Sequence, residues 1–83
     1  EFDAIIALGA VVRGETDHYD YVCEQASHGC QRVMLEENIP VVFGILTTDN
    51  LDQARDRLGG KRGHKGRDAA DVAMEMISVL KQI

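Results

Sequence analysis

The chain has 83 residues, a mass of 9.2 kDa and a formal net charge of -5 at pH 7. A chain of this length forms at most one small domain, and 45% apolar with 28% charged residues is the composition of a folded protein. The acidic balance argues against nucleic acid as a partner. No apolar run approaches the roughly 20 residues that span a bilayer, so we expect a soluble, cytoplasmic protein without a membrane partner.

The first half of the chain has the pattern of a strand, a helix and a second strand. Residues 4–12 form a continuous apolar run, which predicts a strand buried on both faces of a parallel sheet. Apolar residues then recur at three-to-four spacing to about Glu37, which predicts an amphipathic helix capped by Thr16 or Asp17. A second apolar run at residues 41–46 predicts another buried parallel strand, and together these elements predict a right-handed βαβ unit.

The second half predicts two further helices around a glycine-rich segment. A short helix capped by Thr48 or Asp49 is expected to run up to Gly59. Residues 59–66 contain four glycines and three firm positive charges, so this segment is expected to be a loop and neither a helix nor a core strand. Apolar residues at helical spacing over 69–80 then mark a final amphipathic helix.

Two parallel strands with three helices leave both edges of the sheet open. The chain also begins without Met, a few residues before an apolar strand. We therefore expect residues 1–83 to be the C-terminal part of a larger single α/β domain. Cys23 and Cys30 lie too far apart along the predicted helix for a mutual disulfide, so we expect them to be small core residues in a reducing compartment.

The end of the first predicted strand is one candidate site. Ligands of open α/β sheets bind beyond the carboxyl ends of the strands, where loops lead into helix N-termini. Gly14 permits an unusual backbone conformation there, and the amides and hydroxyl at Thr16 suit a phosphate. His18, in the first helical turn, is placed to transfer protons near neutral pH, and an ordinary surface histidine is the alternative reading of the same pattern.

A second candidate site is the cluster of basic residues at positions 55–67, which holds six of the nine basic residues. Arg57, Lys61 and Lys65 are spaced by four, and Arg57 can bind a phosphate through two parallel hydrogen bonds while the lysines act as point charges. The alternative is a solvated surface loop. The segment is no P-loop, because it follows a helix, and the histidines show no metal-ligand spacing, so we expect a small anion and no metal.

Four segments in order carry a resemblance to a known family. They are residues 2–9 (FDAIIALG), 12–22 (VRGETDHYDYV), 40–47 (PVVFGILT) and 59–66 (GGKRGHKG). Together they resemble the C-terminal half of 6,7-dimethyl-8-ribityllumazine synthase, the penultimate enzyme of riboflavin biosynthesis. The resemblance implies a flavodoxin-like three-layer α/β/α fold with a parallel sheet, of which this chain would supply two strands and three helices as a partial domain.

The resemblance also implies a reaction and an assembly. The family condenses 5-amino-6-(D-ribitylamino)uracil with 3,4-dihydroxy-2-butanone 4-phosphate, releases phosphate and water, and uses no metal or organic cofactor. Its subunits form homopentamers or multiples of them, with active sites between neighbours. In the family, the N-terminal half supplies an aromatic residue that stacks on the pyrimidine and contacts to the ribityl chain, so this fragment alone is expected to be inactive. The alternative is a non-catalytic, shell-forming or phosphate-binding homologue of the same fold.

Family roles carry over residue by residue onto this sequence. Backbone groups at the end of the first strand would hold the pyrimidine edge, namely those of Ala10, Val11 and Val12. The following turn would cradle the butanone phosphate through Gly14, Glu15 and Thr16. His18 would move protons during imine formation, phosphate loss and ring closure.

The adjacent subunit would complete the site. Phe43 would border the heterocycle, Arg57 would bind the phosphate, and Lys65 would approach the pyrimidine. Lys61 would assist electrostatically, and Asp68 would orient His18 or stabilise its charge.

Overall fold

The computed structural model describes residues 2–83. In chain order the elements are strand β1 (Ile5–Val12), helix α1 (His18–Glu37), strand β2 (Val41–Thr48), helix α2 (Leu51–Asp56), strands β3 (Leu58–Gly60) and β4 (Gly63–His64), and helix α3 (Lys65–Gln82). This order confirms the predicted βαβ start and the two helices that follow it. Within the described range, no helix combines the length and the apolar character needed to span a membrane.

The strands β1 and β2 run parallel and pair in register over their whole length, from Ile5 opposite Val41 to Val12 opposite Thr48. One further bond extends the ladder, because the Arg13 N–H donates to the Thr48 carbonyl oxygen at 2.8 Å. Parallel strands end at the same edge of a sheet. The turn that follows β1 and the turn that follows β2 are therefore neighbours.

Helices lie on both faces of this small sheet. Phe43 of β2 lies against α1 beside Cys30, and Gly44, the next residue, lies against Ala69 of α3. Successive residues of a strand point to opposite faces, so α1 and α3 form the outer layers of a three-layer α/β/α arrangement. The buried side chains of β2, α2 and α3 are those of Leu46, Thr48, Ala54, Ala69 and Ala73, and Pro40, directly before β2, is also buried.

The prediction that β1 is buried on both faces is wrong for this chain. Ile6 is 39% exposed and Leu8 is 67% exposed. Among residues 2–83, β1 pairs only with β2, so its second edge and much of one face stay uncovered. The predicted core positions Cys23 and Cys30 are likewise only half-buried, and both thiols are free.

The glycine-rich segment is a short β-hairpin and not the predicted loop. Strands β3 and β4 pair antiparallel, and Lys61 and Arg62 form the turn between them. Gly59 and Gly63 have φ values of +101° and +82°, a backbone region that favours glycine. Helix α3 starts directly after the hairpin, at Lys65. The sequence predicted a later start because the first turn of the helix contains no apolar residue.

Helix α2 also differs from its prediction. Thr48 and Asp49 were expected as caps, whereas the Asn50 side chain accepts the capping hydrogen bond from the Gln53 N–H at 2.8 Å. Strand β2 extends through Thr48, whose hydroxyl donates to the Asn50 carbonyl oxygen at 2.9 Å. The helix therefore begins later than predicted, and it already ends at Asp56.

The close approach of β2 to α3 predicts that Gly44→Ala destabilises the protein. A Cβ at this position would lie 3.0 Å from the Ala7 carbonyl oxygen and 3.1 Å from the Ala69 Cβ, so the strand or the helix has to shift. We expect the free energy of unfolding, measured with urea, to fall by about 1–3 kcal/mol, the usual cost of overpacking.

Gly29→Ala is the matched control. Gly29 lies inside α1, where an added Cβ meets no atom within 4 Å. Alanine is a better helix former than glycine, so the free energy of unfolding of this variant is expected to rise by up to about 1 kcal/mol. A Gly44→Ala variant as stable as the parent protein would contradict the packing described for β2 and α3.

Candidate active site

The turn between β1 and α1 presents free hydrogen-bond donors. The N-cap residue of α1 is Asp17, one of the two predicted, and its side chain makes no capping hydrogen bond. The other, Thr16, precedes it, and its Oγ1 accepts from the His18 N–H at 3.3 Å. The Thr16 hydroxyl proton is left to donate elsewhere. In the described part of the chain, the N–H groups of Gly14, Glu15 and Thr16 have no hydrogen-bond partner. Such a set of donors at a helix start suits an anion.

His18 and the end of β1 flank this turn. His18 is the first residue of α1, and its side chain is exposed. Val11 pairs with Thr47 and Val12 with Thr48, so one edge of the strand is used by β2. The backbone groups on the other edge, including those of Ala10, pair with no strand among residues 2–83. They are therefore free to hold a ligand beside the turn.

Three of the predicted site residues of the second half line one cavity. It has a volume of about 320 Å³, and its walls are Ile45, Thr47, Arg57, Arg62, Lys65 and Asp68. Three cations face one carboxylate, which leaves an excess of positive charge. The half-buried Arg57 is held by a hydrogen bond from its Nη1 to the Gln53 carbonyl oxygen at 2.8 Å, and its remaining N–H groups are available for an anion.

The hairpin brings these cations together. The Arg62 N–H donates to the Asp56 carbonyl oxygen at 3.0 Å, and the Lys65 N–H donates to the Arg57 carbonyl oxygen at 2.7 Å. These bonds fold the hairpin back onto the end of α2. Lys61, which the spacing of four selected, is not among the residues that line the cavity, and Arg62 is there instead.

Sequence reasoning passed over Arg62 as an individual site residue. Helical spacing does not apply inside a hairpin, where neighbouring turn residues point to different sides. The available signal was the pair of glycines, Gly60 and Gly63, on either side of a two-residue turn.

Phe43 and the end of β1 do not line the cationic cavity. Phe43 borders a different cavity of about 240 Å³, on the α1 face of β2. Within residues 2–83, no residue from the end of β1 or from the turn after it lines the cavity around Arg57. Asp68 lines that cavity, and His18 does not. The candidate residues therefore fall into two groups, one at the turn after β1 and one around the cavity.

Arg13 is a further residue that the sequence analysis did not select. Its Nε donates to the Asp49 Oδ1 at 2.9 Å, and its guanidinium carbon lies 4.2 Å from the centre of the Tyr19 ring. The hydrogen bond to Asp49 raises the pKa of Arg13 above its ordinary value. The available signal was the position of two opposite charges directly after paired parallel strands.

These features define an α/β protein whose candidate ligand-binding groups lie at the carboxyl ends of parallel strands and beside a cationic hairpin. The family model of 6,7-dimethyl-8-ribityllumazine synthase matches residues 1–81. The chain belongs to this family, which confirms the resemblance and the partial three-layer fold expected from it.

Two curated relatives show how far the similarity extends. The 6,7-dimethyl-8-ribityllumazine synthase of Coxiella burnetii (strain Dugway 5J108-111) is 57% identical over 82 residues, which are 99% of this chain and 54% of the relative. The protein of the same name from Protochlamydia amoebophila (strain UWE25) is 57% identical over 83 residues, which are 100% of this chain and 48% of the relative. The chain thus spans about half the length of the curated relatives it matches.

The start of α3 generates a prediction about stability. The His64 Nδ1 accepts from the Arg67 N–H at 3.1 Å and caps the helix that carries Lys65 and Asp68. His64→Ala removes this acceptor, so the free energy of unfolding is expected to fall by about 1 kcal/mol, as for other lost caps. Chemical denaturation measures the change.

His64→Asn is the control, because asparagine is a strong capping residue. We expect the free energy of unfolding of the His64→Asn variant to stay within about 0.5 kcal/mol of that of the parent protein. Equal losses for the alanine and asparagine variants would show that the cap does not stabilise α3.

Proposed function

We propose that this chain is the C-terminal part of a lumazine synthase subunit. The complete enzyme would condense 5-amino-6-(D-ribitylamino)uracil with 3,4-dihydroxy-2-butanone 4-phosphate to 6,7-dimethyl-8-ribityllumazine in riboflavin biosynthesis. The cavity formed by Arg57, Arg62 and Lys65 carries this proposal, in a chain whose relatives bear the name of that enzyme. A reaction that expels phosphate needs fixed cations where negative charge develops.

The turn after β1 is the proposed cradle of the butanone phosphate. The free N–H groups of Gly14, Glu15 and Thr16 supply donors at the start of α1. The Glu15 side chain is exposed, which is compatible with a carboxylate that points away from the anion. Backbone groups of the strand end would hold the edge of the pyrimidine, and they belong to Ala10, Val11 and Val12.

His18 is the proposed proton carrier. The amine attacks the ketone carbonyl, and loss of water forms a C=N bond. Removal of a carbon-bound proton then lets the C–O bond to phosphate break, with the electron pair leaving on the phosphate. The resulting enol tautomerises to a ketone, the ribityl-bearing amine attacks this carbonyl, and loss of a second water closes the ring. The exposed imidazole of His18 beside the anion turn suits these transfers, since histidine exchanges protons near neutral pH.

The second group of residues would come from a neighbouring subunit. Within the described chain, no residue of the turn around His18 lines the cavity around Arg57, which supports a site completed by two copies. We place Arg57 on the phosphate, Lys65 near the pyrimidine and Phe43 beside the heterocycle. Asp68 would approach His18 across the boundary, with Lys61 nearby as an additional charge.

A ring-shaped assembly would provide this boundary. We propose a homopentamer or a multiple of it, and the large exposed apolar side chains of α3, such as Met74 and Leu80, supply surface for contacts between subunits. The free thiols of Cys23 and Cys30 suit a reducing compartment, which supports a cytoplasmic location.

Product formation tests the proposal. The full-length gene product that contains this sequence is incubated with both substrates, and the absorbance of the lumazine and the release of phosphate are followed together. Both signals are expected to rise in equal amounts. An assembled protein that binds inorganic phosphate and forms no lumazine would instead be the non-catalytic homologue.

The proposed roles predict an order of effects for two variants. Arg57→Ala should lower kcat/KM by about 10²–10³-fold, the usual loss for a removed transition-state partner. His18→Ala should lower kcat/KM by a smaller factor, because positioning of the two substrates supplies much of the rate enhancement. Steady-state kinetics of the assembled protein measures both.

Arg55→Ala is the control for removal of a nearby positive charge. Arg55 lies in α2, two residues before Arg57. Its side chain is 72% exposed, and its Nη1 lies 3.8 Å from the Asp52 Oδ1. The kcat/KM of the Arg55→Ala variant should match that of the parent protein. Equal losses for Arg57→Ala and His18→Ala, or the reverse order, would contradict the assigned roles.

A further inference from the structure

Arg13 and Asp49 join the two turns at the carboxyl edge of the sheet. The Arg13 side chain follows β1 and the Asp49 side chain follows β2, and Nε and Oδ1 are 2.9 Å apart. The backbone bond from the Arg13 N–H to the Thr48 carbonyl oxygen, at 2.8 Å, runs beside this ion pair. The start of the proposed phosphate cradle is thereby tied to the start of α2.

The guanidinium group of Arg13 is also tied to the first turn of α1. It lies 4.2 Å from the centre of the Tyr19 ring, a distance at which a cation is attracted to the ring face. Its Nη1 is 3.8 Å from the Asp20 Oδ1. Partial burial raises the pKa of Tyr19 above its ordinary value. Tyr19 directly follows His18, and this contact therefore holds the backbone that carries the proposed proton carrier.

Asp49 is in turn connected to Arg57 through Gln53. The Asp49 N–H donates to the Gln53 Oε1 at 2.8 Å, and the Gln53 N–H donates to the Asn50 Oδ1 at 2.8 Å. The Gln53 carbonyl oxygen accepts from the Arg57 Nη1 at 2.8 Å. A continuous series of polar contacts thus runs from the turn after β1 to the guanidinium group in the cationic cavity.

We propose that Arg13 and Asp49 are positioning residues for phosphate binding. Their ion pair would hold the β1–α1 turn in the conformation that presents its free N–H groups, and the contacts through Gln53 would orient Arg57. Arg13 would not bind the phosphate itself, because Asp49, Asp20 and the Tyr19 ring already occupy its guanidinium group. This inference rests on the proposed function of the turn and of Arg57.

The exposure of the pair makes a positioning role distinguishable from a structural one. The Arg13 and Asp49 side chains are 46% and 65% exposed, and exposed ion pairs add little to global stability. Loss of the pair should therefore alter ligand affinity while the melting temperature hardly changes.

A double-mutant cycle in the full-length gene product tests the proposal, with inorganic phosphate as the probe. Arg13→Gln, Asp49→Asn and the double variant are compared for phosphate affinity and for the KM of each substrate. We expect each single variant to weaken phosphate binding and to raise the KM for the butanone phosphate roughly five- to tenfold. The double variant should be no worse than the poorer single one, as coupled residues show.

Arg32→Gln and Glu36→Gln are the matched controls. These residues form an ion pair of 2.7 Å within α1, with side chains that are 79% and 60% exposed, and neither belongs to the proposed site. Their removal should leave phosphate affinity and both KM values unchanged.

Three results would overturn the inference. Unchanged phosphate affinity in the Arg13 and Asp49 variants would show that the pair positions nothing. If the losses of phosphate affinity in the two single variants add up in the double variant, and the Arg13 loss is the larger, Arg13 binds the anion directly. A fall in melting temperature without a change in KM would reveal a purely structural pair. A parent protein that binds phosphate and forms no product would overturn the proposed function alone, because the phosphate cycle could still be measured.

Discussion

The parallel pairing of β1 with β2 is the constraint on which the candidate site depends. It ends both strands at one edge of the sheet, so that Arg13 and Asp49 meet there at 2.9 Å. From this junction α1 leads away with His18 in its first turn, and α2 leads to Arg57 and the hairpin. An antiparallel arrangement would have placed the two turns at opposite ends of the strands. The parallel pairing of β1 with β2 therefore determines where both groups of candidate residues lie.

The elements that could be predicted are those with local patterns. Apolar runs and helical spacing within one segment were sufficient for the βαβ unit, and the four ordered motifs were sufficient for the family. The hairpin was missed because its pairing depends on backbone bonds from Arg62 and Lys65 to the end of α2, which leave no apolar signature. The burial of β1 was predicted wrongly because an apolar strand becomes buried only where other elements cover it, and residues 2–83 cover it incompletely.

The chemistry of the site was easier to anticipate than its geometry. The sequence suggested a phosphate-binding turn and a cationic segment, and both groups are present with suitable donors and charge. Their arrangement depended on the hairpin, which turns Arg62 into the cavity in place of Lys61, and on the sheet, which puts Phe43 on the α1 face. Among residues 2–83, the turn after β1 contributes no residue to the lining of the cationic cavity, and this feature favours a site shared by neighbouring subunits.

Subunit mixing tests this shared site most directly. His18→Ala and Arg57→Ala versions of the full-length gene product are unfolded, combined in equal amounts and refolded together. If each site takes His18 from one subunit and Arg57 from its neighbour, random assembly into rings leaves about one quarter of the sites with both residues intact. Activity should then rise to about a quarter of that of the parent protein. A mixture no more active than the average of the two separately refolded variants would place the whole site within one subunit and contradict the account.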